Sequence, residues 1–310
     1  MRTVTLGQKA RTLEGPDRAA RARIQLAYLW KHGRFPKVDN PRLFTEWVQW
    51  RKLFDRSPHH THMMDKLAAK QRVETALGRE WIIPTLWSGP ELPSTPPVMP
   101  PAMLKARHGC NQFVRFPDPV DSDQWNALRA RANSWCTQPY GRWLDEPAYR
   151  DVPRGLLIEP FVSDTDKLPV DYKIYVFGGR ATHVQVHLGR EGQHRWILHD
   201  RNFRPLVATD DHPSPPGTLA AMLDAAEELA AGEDFMRIDF YEVRNRPLFG
   251  EFCLYPGSGL DPFAAPWIDK ELGDLWAAAR RASASTRARI GGKHGTWNQR
   301  HSTIATATSA

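Results

Sequence analysis

Late in the chain the stretch FMRIDFYEV (235–243) is followed, after a short polar link, by LFGEFCL (248–254), and both set charged residues into an otherwise apolar strand pattern. Alternation along a strand puts Arg237, Asp239 and Tyr241 on one face, with Ile238 and Phe240 on the other. A charge in such surroundings is expensive unless it is paired or shifts its protonation. The face is therefore either neutralised internally or built for a charged ligand. A hairpin turning at Asn245 and Arg246 would bring Glu251 across from Asp239. Two carboxylates from adjacent strands make an oxygen-rich site suited to Mg²⁺, which takes carboxylates, phosphate oxygens and waters. The alternative is a structural ion pair of Arg237 with either acid.

Other apolar strands carry charges in the same way. GLLIEPFV (155–162) contains Glu159, with Pro160 marking a hinge between lobes, and DYKIYVF (171–177) sets Asp171 and Lys173 on one face. Lys173 has the reach for a phosphate with Asp171 to orient it; a surface salt bridge is the alternative. MLKARHGCN (103–111) runs a strand into a small-residue turn. Lys105 stands just before that turn and His108 adjoins Gly109, so an ammonium lies beside exposed backbone donors that suit a phosphate. With one glycine this is neither a Walker A loop nor a dinucleotide fingerprint, and the alternative is an ordinary hairpin with a solvent-facing lysine and a loop-stabilising His108. The turn YPGSGLDPF (255–263) follows Glu251, and its Gly257 and Ser258 suit a substrate carboxylate. Ser258 has no His and acid partners for a triad. His59, His60 and His62 read as loop residues, since no HExxH or cysteine pair completes a zinc site.

A chain of 310 residues, 41% hydrophobic, can bury one large core or two moderate ones. Residues 1–16 read as a polar leader, and 17–80 as an N-terminal helical region. There Asp17 caps a helix that turns Ile24, Tyr28, Leu29 and Trp30 inward, NPRLFTEWVQWRKLFD forms a second, and Thr61–Leu77 a third. Residues 81–154 form a small lobe with a strand at Trp81–Leu86, a Pro-rich connection and a helix over 121–135. Residues 155–280 form a larger lobe, with a hairpin at Gly178 and Gly179, a helix through Leu219 and Leu229, and another over 268–279. Residues 281–310 read as a disordered tail. The fold class is α+β with antiparallel hairpins. The charge of +7, from 42 basic and 35 acidic residues, suits an anionic ligand, while no nucleic-acid recognition pattern accompanies it. No apolar run approaches a membrane span, and Cys110, Cys136 and Cys253 form no disulfide framework, so the expected location is cytoplasmic, without membrane insertion.

In order along residues 22–276, the segments NPRLFTEWVQWRKLFD, MDKLAAKQRV, LKARHGCN, LLIEPFV, DYKIYVFGG, FMRIDFYEV and FGEFCLYPGSGLDPF resemble the ATP-grasp superfamily. They are most similar to its TupA-like branch, associated with teichuronopeptide and other cell-surface polysaccharide biosynthesis. The resemblance implies two lobes enclosing ATP. Lys105 and Lys173 would hold the phosphates beside Gly109, and Glu159 would lie near the adenine. Asp239 and Glu251 would coordinate Mg²⁺, and Arg237, with Lys173 and His108, would serve the transfer. Lys66, Gly257 and Ser258 would lie on the substrate side. The implied reaction is ADP-forming: ATP activates a carboxylate, such as a sugar acid, and an amine, such as an amino acid, attacks it to give an amide. Two departures stand out. The loop reads HGCNQFV where the branch has a Gly/Ser-rich form, and Cys253 stands where many ATP-grasp enzymes place a metal-binding Asn. A kinase acting on a sugar-like hydroxyl and a non-catalytic nucleotide-binding protein are the competing readings.

Overall fold

The computed structural model describes residues 17–294 except 117, 142, 143 and 211, with side chains described as far as 284. The polar leader at 1–16 and the last part of the tail, 295–310, lie outside the described residues.

Helix α1 (Arg18–His32) starts where the Asp17 carboxylate accepts from Ala19 N and ends at Gly33, whose φ of 67° suits a residue without Cβ. Ile24 and Tyr28 are buried, but Trp30 is 78% exposed and does not face the core as expected. Helix α2 (Phe44–Phe54) is buried along most of its length. Its Phe44 ring packs against Tyr175, Phe177, Phe235 and Trp276, so the N-terminal helices are part of the main core. The single helix expected over 61–77 is two, α3 (Pro58–Met64) and α4 (Lys66–Leu77). Asp65 separates them in an extended conformation, and its carboxylate accepts from Leu67 N to start α4. His59, His60 and His62 therefore lie on a helix rather than a loop, and His59 and His60 bond to Glu233.

The first sheet contains β1 (Trp87–Gly89), β2 (Ala102–Ala106), β3 (Phe113–Arg115) and β4 (Leu156–Pro160) in the order β1-β4-β2-β3. Helix α5 (Ser122–Thr137) packs Trp125, Leu128 and Ala132 against Leu104, Leu156 and Ile158 of this sheet. The strand expected at 81–86 is instead a helical turn, Arg79–Trp81, followed by irregular chain. Strand β4 pairs with β1 and β2, which moves GLLIEPFV out of the larger lobe and into the smaller one.

The second sheet is antiparallel throughout, with β5 (Asp171–Phe177), β6 (Arg180–Leu188), β7 (Arg195–Asp200), β8 (Phe235–Val243) and β9 (Arg246–Cys253) in the order β7-β6-β5-β8-β9. The β8–β9 turn falls at Arg244 and Asn245, both left-handed, one residue earlier than expected. Ile174, Val184, Ile238 and Phe240 pack in one cluster with Met222 and Ala226 of α6 (Leu219–Leu229). Helix α7 (Pro266–His294) does not stop near Ala279, so residues 281–294 are helical rather than a disordered tail.

Candidate functional site

The polar face of the second sheet follows from its register. Lys173 stands beside Gln185 on one side and Asp239 on the other, and Asp239 stands opposite Glu251. The neighbouring row carries His183, Tyr175, Arg237 and Cys253, and the next His187, Asp171 and Tyr241. The alternation read from FMRIDFYEV and LFGEFCL thus places Arg237, Asp239 and Glu251 together.

Asp239 is 1% exposed, and its carboxylate accepts from Arg237 Nε and Nη2 at 2.7 Å each and from Lys173 Nζ at 2.5 Å. Lys173 also donates to Asp171 at 2.6 Å. Burial alone would raise the Asp239 pKa, but Arg237 and Lys173 outweigh it and hold the carboxyl below its ordinary value. Burial likewise opposes charge on Lys173 and Arg237, yet the facing carboxylates keep both pKa values raised. Glu251 is held more loosely. Its side chain is 28% exposed, with Arg237 Nη2 at 3.8 Å and the Cys110 thiol at 3.9 Å. Asp171 Oδ1 is buried without a partner.

The smaller lobe supplies the facing wall. Glu159 on β4 is 3% exposed and binds Lys105 of β2 at 2.5 Å, while Lys70 of α4 binds its other oxygen. Burial would raise the Glu159 pKa, and the two lysines pull it below the ordinary value instead. Glu159 is therefore a counter-ion shared by two lysines. Lys70 also donates to Ile83 O at 2.7 Å and Thr85 Oγ1 at 3.1 Å. Sequence reasoning missed Lys70; its one signal was the four-residue step from Lys66, which puts both on one face of α4.

The β2–β3 loop is clamped from below. Arg107 forms a bidentate pair with Asp65, at 2.6 and 2.5 Å, and the Lys66 ammonium donates to Gly109 O. Lys66 is thus tied to the backbone of this loop. A Cβ on Gly109 would stand 2.1 Å from Gln112 Oε1 and 3.0 Å from the Tyr140 ring. His108 does not reach toward a phosphate or substrate. It is 1% exposed, its Nε2–H donates to Trp135 O at 3.0 Å, and its Nδ1 accepts from Gly155 N at 3.5 Å. Burial lowers its pKa, and in this neutral tautomer it ties the loop to α5 and to the residue that precedes β4.

The PGSG turn divides its residues. Gly257 lines a cavity, whereas the Ser258 hydroxyl is turned inward onto Lys52 Nζ at 2.6 Å and does not line it. Gly257, Ser258 and Gly259 are all left-handed, with φ of 53°, 56° and 64°. Gln49 and Lys52 hold this strained turn through Ser258 O at 2.9 and 2.8 Å.

Two cavities flank the Lys173–Asp239–Glu251 row. One is a cleft of about 60 Å³ between the sheets, where Met103, Phe161 and Leu168 meet Lys105, Glu159 and Tyr241. The other, about 290 Å³, includes Arg237, Tyr175, Gln185, His187, Trp196 and Gly257 in its wall. Among the described residues no group of three or more His, Cys, Asp or Glu is placed to hold a metal by itself. Mg²⁺ at a nucleotide site takes one or two carboxylates plus phosphates and water, so the facing pair Asp239 and Glu251 fits that ion.

A family model described as TupA-like ATPgrasp matches residues 46–277, well over half of the chain. Comparison with curated proteins finds no match. Among solved structures the chain is similar to the ATP-grasp ligase PsnB complexed with a phosphomimetic variant of its minimal precursor, Mg and ADP, at 10% identity over 73% of this chain and 61% of that one, with a TM-score of 0.40. It is also similar to D-alanine–D-alanine ligase from Bacillus anthracis, at 12% identity over 74% and 69% with a TM-score of 0.43. For the L-amino acid ligase from Bacillus licheniformis the values are 11%, 70%, 50% and 0.43. The chain spans less than two thirds of PsnB and half of the amino acid ligase.

Proposed function

The chain belongs to the TupA-like ATP-grasp family, within a superfamily of carboxylate–amine ligases, and on that premise we propose that it is an ADP-forming ligase joining a carboxylate to an amine through an acyl phosphate. The observation that supports this reading best is the Lys173–Asp239–Glu251 row lying between two cavities, with Lys105 in the wall of one and Arg237 in the wall of the other.

In this reading the base of ATP enters the cleft among Met103, Phe161 and Leu168, which opens as the lobes part. Lys105 and Lys173 take the phosphates, exchanging the carboxylates that neutralise them without nucleotide. The loop at Gly109 covers the phosphates, held by Lys66 beneath it. Asp239 and Glu251 would hold Mg²⁺, which when bound neutralises phosphate charge. An oxygen of the acid attacks the γ-phosphorus; the new O–P bond forms as the bond to the bridging oxygen breaks, and ADP leaves with that electron pair. Arg237 stabilises charge on the transferring group. The amine then attacks the acyl carbon and phosphate departs, leaving an amide. Closure of the smaller lobe excludes water from the acyl phosphate.

The family association makes polysaccharide biosynthesis in the cytoplasm the proposed setting. No described helix is long and apolar enough to cross a membrane. The test is a mass-resolved incubation with ATP, Mg²⁺ and panels of acids and amines. Ligation requires ADP, phosphate and an amide-linked product that depend on both substrates. A stable phosphoester would identify a kinase, and nucleotide binding without turnover a binding protein.

A further inference from the structure

Helix α1 is apolar on two opposite sides. Ala20, Ile24 and Tyr28 recur at four-residue steps and are buried, the ordinary stripe of a helix lying on a core. Ala22, Leu26 and Trp30 recur at the same step about half a turn away, and all three are exposed. Leu26 is 61% and Trp30 78% exposed, and Phe35, just past the Gly33 cap, is 57% exposed. Scattered apolar residues are ordinary on a protein surface, but a row of them along one helix face marks an interaction surface. The helix beneath the row is firmly held. Arg21 forms a bidentate pair with Asp39 at 2.9 and 2.6 Å, and Arg23 one with Asp145 at 2.9 and 2.5 Å. The Tyr28 hydroxyl bonds to Thr45 Oγ1 at 2.9 Å, and His32 donates to Gly259 O at 3.2 Å. Leu26, Trp30 and Phe35 line neither cavity beside the Lys173–Asp239–Glu251 row.

Charge decides what this row meets. From Arg18 to His32 the helix carries Arg18, Arg21, Arg23 and Lys31 and neither Asp nor Glu. Arg21 and Arg23 are neutralised by the carboxylates just named. Arg18, by contrast, begins the exposed row, the Lys31 ammonium lies 4.4 Å from the Trp30 ring centre, and exposed Lys37 follows Phe35. None of these three side chains forms an ion pair among the described residues. Asp261 is near enough to Lys31 for the ammonium to pull its carboxyl pKa downward, and Asp17 is occupied in capping the helix. Exposed leucine and tryptophan flanked by cations suit the interfacial layer of an anionic bilayer, where an indole sits at headgroup level and basic groups meet lipid phosphates. A nucleic acid would take the cations and leave Leu26 in water, and an uncharged apolar partner would leave the cations unmatched.

We propose that α1 docks this protein peripherally on a membrane surface rich in anionic phospholipid, with Ala22, Leu26 and Trp30 entering the headgroup layer and Arg18, Lys31 and Lys37 contacting lipid phosphates. The helix lies along the surface and does not cross it, since its 15 residues fall short of the roughly 20 that span a bilayer. Its buried stripe keeps its packing on the core, so docking requires no unfolding of the helix or of the lobes. The inference stands on this face alone and goes beyond the ligase reading.

The test is co-sedimentation of the full chain with vesicles of equimolar phosphatidylglycerol and phosphatidylcholine, and with vesicles of phosphatidylcholine alone. Binding to the anionic vesicles is expected to be at least about tenfold tighter than to the neutral ones. It should weaken as salt rises from about 0.1 M to about 1 M, which shortens the Debye length from about 10 Å to about 3 Å. Leu26→Ser and Trp30→Ser should each weaken binding about tenfold while leaving the melting temperature within about 2 °C of the parent, because both side chains are largely exposed. Absence of binding to the anionic vesicles, equal binding to both kinds, or binding that both variants retain in full would overturn the inference. A parent that is dimeric in light scattering, and that Trp30→Ser converts to a monomer, would overturn it too by giving the row to a second copy of the chain.

Discussion

Replacing Asp239 by Asn separates the two tasks that its position implies. Without nucleotide, this carboxylate is the counter-ion for Arg237, at 2.7 Å, and for Lys173, at 2.5 Å, and it is 1% exposed. An amide keeps one oxygen for one donor but removes the charge, leaving two buried cations with Asp171 and the looser Glu251. Deleting one partner of a buried pair costs about 3–5 kcal/mol. At roughly 2–4 °C per kcal/mol in a large domain, the melting temperature should fall by about 6–20 °C. Glu251→Gln should cost under about 1 kcal/mol, since that side chain is 28% exposed and its ion pair is 3.8 Å long. Both substitutions should abolish Mg²⁺-dependent ADP formation. Urea unfolding of the nucleotide-free proteins reads the first effect, and a cycle with Lys173→Met should recover about 1–3 kcal/mol by removing one stranded cation. If Asp239→Asn unfolds within about 1 kcal/mol of the parent, the charge-balanced description of the row is wrong.

Burial pushes His183 and His187 down to about 4 and about 2, against an ordinary value of 6.5. Below 6.5 the unfolded chain therefore binds more protons, and stability should fall as pH drops, by about 1 kcal/mol per unit for each histidine, with the His183 contribution ending near pH 4. Urea midpoints that stay flat with pH in that window would contradict this. Lys105→Met should weaken ADP binding by about tenfold or more while the melting temperature moves little, because Lys70 still pairs with Glu159; equal affinity for ADP would remove Lys105 from the phosphate site. At Gly259, φ is 64°, and a Cβ would lie 2.8 Å from Val48 Cβ and 2.9 Å from Thr45 O. Gly259→Ala should therefore destabilise by about 1–3 kcal/mol, and an unchanged melting curve would show that the turn is freer than described.

Local pattern made the second sheet's polar face readable. Period-two alternation in DYKIYVF and FMRIDFYEV fixed which charges share a face, and a short link before LFGEFCL implied the hairpin that sets Glu251 opposite Asp239. What the pattern does not encode is the partner of a strand. GLLIEPFV reads identically in either sheet, and only pairing with β1 and β2 puts Glu159 beside Lys105. The break at Asp65 was hidden because no Gly or Pro marks it; an extended aspartate that caps the next helix does the same work. Polar residues beside glycines suit either a ligand or the loop itself, and local sequence does not decide between them for His108 or Ser258. Trp135 O and Lys52, distant in sequence, claim them instead. Trp30 extends the apolar stripe of α1 on paper, yet the stripe buried by packing is narrower, around Ile24 and Tyr28. Strand β7, with the Trp196 that borders the larger cavity, went unread because RWILHD is short and flanked by polar residues.

Acid activation by phosphoryl transfer leaves a signature in the oxygen atoms. An acid substrate labelled with heavy oxygen in its carboxylate, incubated with the protein, ATP, Mg²⁺ and an amine, should yield inorganic phosphate carrying one labelled oxygen for each amide formed. Phosphate free of label, or label retained in a stable phosphoester, would show that no acyl phosphate forms at this site.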